Sequence, residues 1–281
     1  MKFESRQFRT WEGKCLTLIG MAGIGKTRIS SILRRQGWFH YSADYRIGTR
    51  YLGEPILDLI KQEAMKVPFL RNLLRTDSIY INNNITVDDL HPVTSFLGRL
   101  GNPEQGGLSL REFLRRQALY RGALRAAMED VPEFIRKARE IYGYANFVND
   151  TPGSLCEIDA PEVIEVLARH TLILYIRPTE GEEQQLLRRV ERDLRPLCHR
   201  EEFLLEQVAA YMGETGLGYV AMFDPEKFYR WLLPRLYAER VRRYEQIAGQ
   251  YGYTATMAEL ESVRDEPDFL ALVEHAIERS S

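Results

Sequence analysis

Short apolar runs alternate along the chain with longer segments in which apolar residues recur every three or four positions. The short runs are five or six residues long, which is typical of buried strands. They span residues 15–19, 38–42, 145–150, 171–176 and 251–256. Because helical patterns separate them, the chain is predicted to form a parallel sheet with right-handed crossovers, flanked by helices. The predicted fold class is therefore α/β.

The turn after the first apolar run carries a phosphate-loop motif. Residues 20–27, GMAGIGKT, fit the pattern G-x-x-x-x-G-K-[ST]. A helical pattern follows, with Ile29 and Leu33 on one face, and Gly37 is placed to end it. Strand, glycine loop and helix form the context that the motif requires. A glycine-rich turn that holds no nucleotide is the alternative.

This loop predicts a site for ATP and Mg²⁺. Glycines allow backbone N–H groups to surround phosphate oxygens, and the N-terminus of the following helix favours the same anion. Lys26 should reach the β- and γ-phosphates, and Thr27 should offer its hydroxyl to Mg²⁺. The residues of this segment expected to bind the cofactor are Gly20, Gly23, Ile24, Gly25, Lys26, Thr27 and Arg28.

Two apolar runs lead into an aspartate, Asp44 after the second run and Asp150 at the end of the third. Open α/β sheets bind ligands at the carboxyl ends of their strands. Asp44 could hold a Mg²⁺-bound water or accept a proton from a substrate hydroxyl, or it could cap a helix that begins near Tyr45. Asp150 could be a Walker-B-type residue or a base, or it could close the following loop as an Asx-turn. The sequence leaves open which aspartate is the base.

Residues 53–143 exceed what a minimal sheet needs. Ser109 and Glu112 form a capping box at the start of a helical pattern, which Pro132 should restart or kink near Val131. We predict a mostly helical insertion over the active-site edge. Most of its arginines should be solvated, and one or two could face an anionic substrate. They are Arg99, Arg111, Arg115, Arg116, Arg121 and Arg125.

A second enlargement, residues 179–200, contains Arg188, Arg189, Arg192 and Arg195. We predict a mobile lid that brings guanidinium groups onto the transferring phosphoryl group. Arg188 and Arg192 are expected to bind the nucleotide, and Arg195 is expected to have a catalytic role. A salt-bridged surface helix is the alternative.

Composition and charge narrow the partners. The 281-residue chain has a net charge of −2, so charge gives no support for nucleic acid as a partner. No apolar run approaches the roughly 20 residues of a membrane-spanning helix, and the N-terminal segment lacks the apolar core of a signal peptide. Three scattered cysteines are typical of reduced thiols and predict neither a metal cluster nor disulfides. The expected location is cytoplasmic.

Three motifs together resemble the shikimate kinase-like branch of P-loop small-molecule kinases, in the nucleoside monophosphate kinase-like group. The middle glycine of the loop, Gly23, is usual in that branch. Arg195-Pro196-Leu197 is similar to its lid motif, and Arg240-x-x-x-Tyr244-x-x-Ile247-Ala248 is similar to its late helix pattern. The motifs also follow in the family's order along the chain.

This resemblance implies a five-stranded sheet in the order 2-3-1-4-5, ATP-dependent phosphotransfer and a lid arginine over the phosphates. Asp44 matches the second aspartate of the family's Asp-x-Asp motif, and Ser42 replaces the first. Residues 150–153 stand where the family has a Gly-Gly-Gly substrate loop, so shikimate itself is not the expected acceptor. The resemblance covers the sheet elements and leaves residues 203–231 and the helical insertion unmatched.

We therefore predict a single P-loop kinase domain over residues 1–281. Its nucleotide-binding core is expected at 14–52 and 144–281, its acceptor-binding insertion at 53–143 and its lid at 179–200. The predicted catalytic residues are Lys26, Asp44, Asp150 and Arg195, and the predicted Mg²⁺ ligands are Thr27 and Asp150. The expected acceptor is a small molecule or a nucleotide-like compound, anionic in character.

Besides a degenerate P-loop module that binds a nucleotide and a protein partner without turnover, two alternative functions stay open. A nucleotide-dependent switch is one, because the sequence from Asp150 to Gly153 is similar to the Asp-x-x-Gly element of GTPases. Against it, the chain contains no Asn-Lys-x-Asp motif for reading guanine. A kinase that acts on a modified base in DNA is the other alternative.

Overall fold

A computed structural model describes residues 3–192 and 194–280 of the chain. The side chains of Glu180, Arg189 and Glu191 are outside this description. The predicted lid arginine Arg189 therefore lies outside the described side chains.

Five short strands form one parallel sheet. They are β1 (Cys15–Ile19), β2 (Trp38–Ser42), β3 (Asn146–Asp150), β4 (Leu172–Arg177) and β5 (Gly252–Thr256). The order across the sheet is β2-β3-β1-β4-β5, with every neighbouring pair parallel, which confirms the predicted order and fold class. The central strand β1 is buried along its whole length, as expected for a parallel sheet covered by helices.

Helices fill the connections between the strands, precede β1 and follow β5. They are α1 (Ser5–Thr10), α2 (Lys26–Arg35), α3 (Ala43–Arg46), α4 (Gly53–Ala64), α5 (Pro68–Arg75), α6 (His91–Leu97), α7 (Leu110–Glu129), α8 (Val131–Glu140), α9 (Pro161–His170), α10 (Glu180–Arg192), α11 (Glu201–Thr215), α12 (Pro225–Tyr251), α13 (Met257–Glu261) and α14 (Glu266–Glu278). None of these helices combines the length and the hydropathy needed to cross a bilayer, within the described part of the chain.

The ends of the helices follow local sequence signals in most places. Helix α2 ends before Gly37, whose φ of +86° suits glycine. Helix α7 ends at Glu129 and α8 starts at Val131, because Pro132 cannot continue the preceding helix. Ser109 caps α7 by accepting a hydrogen bond from the Glu112 backbone at 3.4 Å. The Glu112 carboxylate accepts from Arg115 and Arg116 instead of completing the capping box.

A second apolar cluster lies apart from the core around the sheet. It joins α11 and the first half of α12 to Leu100 and Phe113. Tyr211 packs edge-to-face on Phe223 and Phe228, with ring centres 5.0 and 5.1 Å away. Residues 203–231, which the resemblance leaves unmatched, form most of this cluster. Since α12 continues into the core around the sheet, it ties the cluster to that core.

Candidate active site

The phosphate loop has the backbone geometry that its glycines predict. Gly20, Gly23 and Gly25 have φ of +135°, +84° and +98°, values that favour glycine. Gly20 also lacks room for a side chain, since a Cβ there would lie 2.8 Å from the Ile176 carbonyl oxygen. Gly25 is the N-cap of α2. The loop thus delivers the backbone N–H groups of a helix N-terminus to one place, which is an anion-binding arrangement.

Lys26 is held on the inside of this loop. It is 6% exposed, and its Nζ donates to the Gly20 and Met21 carbonyl oxygens at 2.8 and 2.7 Å. Burial lowers the pKa of Lys26 to about 8, and the charges of Asp150 and Asp44 oppose this shift. An ammonium has three N–H donors, so the two bonds made to described residues leave one for a phosphate oxygen.

Asp44 lies in the first turn of α3, at the carboxyl end of β2. The alternative role as the cap of a helix beginning near Tyr45 is excluded, because α3 starts at Ala43 and Ser42 is its cap, accepting from the Tyr45 backbone at 3.4 Å. The Tyr120 hydroxyl lies 3.5 Å from Asp44 Oδ1 and donates to it. Burial and the nearby charge of Asp150 raise the pKa of Asp44 to about 6, against the opposing effect of Lys26.

Asp150 ends β3 and lies beside Leu18 and Ser42 of the two neighbouring strands. It is 7% exposed, and its Oδ2 is 3.6 Å from Nε2 of the buried His40 ring. The next residue, Thr151, fixes the turn by donating its hydroxyl to the Leu18 carbonyl at 2.7 Å. Asp150 therefore stands at the middle of the sheet edge, next to the phosphate loop.

Lys26 and the two aspartates form one electrostatic group, because the charges of Asp44 and Asp150 both act on Lys26. Thr27 follows in the first turn of α2, with its side chain exposed. A hydroxyl and a carboxylate are oxygen donors of the kind that Mg²⁺ takes together with phosphate oxygens and water. Among the described residues, no cluster of three or more histidine, cysteine or acidic side chains could hold a metal by itself. The donor set fits a Mg²⁺ that arrives with a nucleotide.

A cavity of about 370 Å³ adjoins this group. It reaches Ala22 and Gly23 of the phosphate loop, and Asp44, Tyr120 and Ser154 supply polar groups to its wall. The Tyr120 and Ser154 hydroxyl oxygens are 3.3 Å apart. The rest of the wall is mainly aliphatic and is formed by α6, α10 and the segment after α10. The aliphatic side chains are Leu90, Val93, Leu97, Leu186, Val190 and Leu197, with Pro196 beside them.

Arg240, on α12, also lines the cavity. Its Nε donates to Glu157 Oε1 at 2.6 Å, while its two terminal nitrogens donate to the Gly153 and Cys198 carbonyl oxygens at 3.1 and 2.6 Å. Arg240 is 2% exposed and Glu157 1% exposed. One guanidinium thus joins α12, the loop after β3 and the segment after α10.

The lid arginines do not share one position. Arg195 is exposed and borders the cavity, and its backbone carbonyl accepts a hydrogen bond from the Tyr229 hydroxyl. Arg188 and Arg192 are exposed on α10 and are not among the cavity residues. The α10 side chains that do reach the cavity are Leu186 and Val190.

The insertion arginines have other partners. Arg99 donates to the Leu194 carbonyl oxygen and Arg121 to that of His199, so both attach the insertion to the segment after α10. Arg116 bonds to Glu112 and to the Phe96 carbonyl oxygen. None of the six insertion arginines lines the cavity. The expectation that one or two of them face a substrate therefore has no support from this cavity and stays a prediction.

Two predicted cofactor residues have packing roles. The Arg28 guanidinium donates to the Leu260 and Val263 carbonyl oxygens, which fastens α2 to the segment around the end of α13. Ile24 is 1% exposed and belongs to the core around the sheet, so its side chain is not available to a phosphate. The prediction that the Arg28 side chain binds the cofactor has no support from its contacts.

Sequence reasoning missed Tyr120, Ser154 and the aliphatic wall as site residues. A tyrosine inside a helix and scattered leucines carry no local signal for a binding site. Arg240 did carry a sequence signal, because it is the first residue of the late helix pattern that the resemblance identifies. That pattern alone assigns no role to Arg240.

Comparison with known proteins adds little about the substrate. No protein-family model matches the chain, and no curated protein matches it in sequence. Among solved structures, the crystal structure of shikimate kinase from Bacteroides thetaiotaomicron is similar, with 13% identity, 95% of both chains covered and a TM-score of 0.39. A likeness this distant gives no information about function. The P-loop fold itself follows from the strand order and the loop geometry of this chain.

Proposed function

We propose that the protein is an ATP-dependent phosphotransferase that uses Mg²⁺ and phosphorylates a hydroxyl group held in the cavity. One observation carries this proposal. The Asp44 carboxylate lines a cavity that also reaches Ala22 and Gly23 of the phosphate loop, and it interacts electrostatically with Lys26. A base, an acceptor space and a phosphate site therefore meet at the carboxyl edge of the sheet, where such folds bind ligands.

In this proposal the loop backbone and Lys26 hold the β- and γ-phosphates and balance their charge. The Thr27 hydroxyl and the Asp150 carboxylate hold Mg²⁺ together with phosphate oxygens. When bound, the ion supplies further charge neutralisation. Asp150 suits the role of a Mg²⁺ ligand because its charge acts on Lys26 and because it is not among the cavity residues.

Asp44 is the proposed base. A general base works best when its pKa lies near the working pH, and the pKa of Asp44 is raised to about 6. The Tyr120 hydroxyl donates to its carboxylate and orients it towards the cavity. Asp44 is preferred over Asp150 because Asp44 is a cavity residue and Asp150 is not.

The proposed lid contributes one arginine and an apolar cover. Arg195 borders the cavity and is the candidate to stabilise charge on the transferring phosphoryl group. Leu186 and Val190 exclude water from the same space. The chain then works as one domain, with the insertion at 53–143 and the lid at 179–200 enclosing the acceptor beside the nucleotide-binding core.

The loop from Asp150 to Gly153 gives less support to a nucleotide switch. A switch loop must change its contacts when the γ-phosphate leaves. Here the Thr151 hydroxyl binds the Leu18 carbonyl, and the Gly153 carbonyl accepts from buried Arg240. These bonds hold the loop at both ends, which favours a fixed catalytic element.

The test is ATP consumption by the purified protein with Mg²⁺, measured with separate pools of alcohols, sugars, nucleosides, nucleotides and short DNA. We expect one pool to raise consumption at least about tenfold, and Asp44→Asn to lower the stimulated rate by roughly 10²–10⁴-fold through loss of the base. Asp58→Asn, on the exposed side of α4, is the control and should keep the wild-type rate. Slow consumption that no pool changes would contradict phosphotransfer and favour the switch.

A further inference from the structure

We propose that the acceptor is an uncharged hydroxyl compound with a hydrophobic body. This inference rests on the proposed phosphotransfer and names the substrate class for the same site. It replaces the expectation of an anionic or nucleotide-like acceptor, which depended on insertion arginines that do not line the cavity.

The polar groups of the cavity are gathered where the reaction would take place. Tyr120 lies within hydrogen-bond reach of both Asp44 and Ser154, and Ser154 directly follows Gly153, which touches Ala22 of the phosphate loop. These three side chains can hold and deprotonate one hydroxyl group. They mark the end of the cavity at which the phosphoryl group would arrive.

The opposite walls of the cavity offer mainly hydrocarbon. Val93 and Leu97 come from α6, Leu186 and Val190 from α10, and Leu197 from the segment that follows. All except Leu197 and Val190 are nearly or fully buried. An apolar ligand body gains free energy against such walls by leaving water. A carboxylate or phosphate placed there would lose its hydration without gaining partners.

Arg240, the buried arginine of the cavity, already has hydrogen-bond and charge partners within the protein. All three nitrogens of the Arg240 guanidinium donate hydrogen bonds within the protein, and its charge is balanced by Glu157 at 2.6 Å. An anionic ligand that approached the other N–H groups of Arg240 would meet a guanidinium whose charge is already balanced, with the Glu157 carboxylate close by. Arg240 therefore acts on the cavity as one half of a neutral pair.

The remaining charges also disfavour an anionic body. Asp44 carries a negative charge when it acts as a base, and a second anion beside it would be repelled. Arg195 borders the cavity, and in the proposed reaction it faces the phosphoryl group. Thr94 supplies a hydroxyl to the wall, which suits a neutral polar group better than a charged one.

The test compares two compounds that differ mainly in charge. The probes are 4-isopropylbenzyl alcohol and 4-(hydroxymethyl)benzoate, which share the ring and the hydroxymethyl group. Their binding to the full chain is measured by calorimetry, and ATP consumption is measured with each. We expect the alcohol to bind at least tenfold more tightly and to stimulate consumption more. Equal or tighter binding of the benzoate, or no binding of the alcohol at millimolar concentration, would overturn the inference.

Two variants make the test specific. Glu157→Gln keeps the size of the side chain and frees the charge of Arg240, so the binding ratio should move at least tenfold towards the benzoate. Circular dichroism checks that this variant is folded. Val93→Thr keeps the shape of the wall and adds a hydroxyl, so alcohol binding should weaken two- to tenfold, whereas the reverse change Thr94→Val should not weaken it. Wild-type alcohol affinity in Val93→Thr would overturn the inference even if Glu157→Gln does not fold.

The outcomes separate this inference from the proposed function. ATP consumption that rises only with anionic compounds would overturn the neutral acceptor and leave phosphotransfer in place. A chain that prefers the alcohol in calorimetry, yet consumes ATP with no pool, would overturn phosphotransfer and leave only a cavity for neutral ligands.

Discussion

The phosphate loop and the cavity beside it are built in different ways. The loop is one continuous stretch, residues 20–27, and its binding groups are backbone N–H groups and one lysine. The cavity borders this loop at Ala22 and Gly23, and its other residues come from α3, α6, α7, the loop after β3, α10, the segment after α10 and α12, so they run from Asp44 to Arg240 along the chain. One region depends on local backbone geometry and the other on long-range packing.

Because of this difference, the phosphate loop and the cavity wall should tolerate different substitutions. The loop requires particular backbone angles, which few residues other than glycine adopt at Gly23 and Gly25. The cavity wall requires aliphatic volume, which several side chains can supply. Changes in the loop should therefore stop the reaction, whereas changes in the wall should alter which compound reacts.

Lys26→Ala should have the largest effect on turnover. Loss of the ammonium removes charge stabilisation at the phosphates, and we expect ATP turnover to fall by about 10³-fold or more. Calorimetry should show that the variant still binds the neutral alcohol, since the cavity wall is unchanged. Lys61→Ala, an exposed lysine on α4, is the control. Unchanged turnover in Lys26→Ala would refute the mechanism, and loss of alcohol binding would show that the two regions are not independent.

Glu157→Ala tests the packing that holds the cavity together. It leaves the Arg240 charge buried without a partner, so we expect the free energy of unfolding to fall by about 3–5 kcal/mol in urea titrations. The control is Glu133→Ala, which removes an exposed ion pair with Arg136 and should leave the urea midpoint unchanged. Similar midpoints for the two variants would show that Arg240 does not join these elements.

The pH profile of kcat/KM should be bell-shaped. The base must be deprotonated and the pKa of Asp44 is about 6, so activity should fall about tenfold per pH unit below that value. Lys26 must be protonated and its pKa is lowered to about 8, so activity should fall again above that pH. The acid limb should be absent from the residual activity of Asp44→Asn. A flat profile between pH 5 and 9 would contradict both assignments.

The raised pKa of Asp44 also predicts that the stability of the folded protein changes with pH. Because the folded protein raises the pKa of Asp44 above its ordinary value, the folded state holds this proton more tightly than the unfolded chain does. The stability that this group contributes is full at low pH and is lost as pH rises through about 6. Asp44→Asn should therefore be more stable than the wild type at pH 7, and the difference in melting temperature should shrink towards pH 4.

The smallest effects are expected on the surface of the lid. Arg195→Ala should lower kcat by roughly 10–100-fold, because Arg195 borders the cavity and would lose contact with the phosphoryl group. Arg188→Ala and Arg192→Ala should change kcat by less than about twofold, since both are exposed on α10 away from the cavity. Equal losses in all three variants would indicate a lid that closes much further than the present structure shows.

Local signals made the sheet and the phosphate loop predictable. The third and fourth strands begin at Asn146 and Leu172, one residue after their predicted starts. Short runs that are largely apolar and bounded by turns keep their identity, and the clearest of them are β1 and β4. The predicted strand order was taken from the resemblance to P-loop kinases, in which the same motifs follow in the same order along the chain.

The acceptor side was predicted less well, for a physical reason. An arginine in a sequence shows a charge but not its partner. Arg28 and Arg121 both donate to backbone carbonyls of segments more than 70 residues away, and no local pattern announces such a partner. Aliphatic residues on a helix usually pack in the core. In the sequence, those of the cavity wall therefore cannot be distinguished from core residues.

Gly153 limits how the phosphate loop and the cavity can change in evolution. A Cβ at this position would lie 2.3 Å from the Ala22 backbone nitrogen, so every side chain larger than hydrogen would force the phosphate loop and the Ser154 segment apart. In the proposed reaction, this joint fixes where the phosphoryl group is delivered relative to Asp44. The walls on α6 and α10 meet no such restriction. Under the proposed function, substitutions in these walls can therefore change which alcohol is accepted without altering the reaction itself.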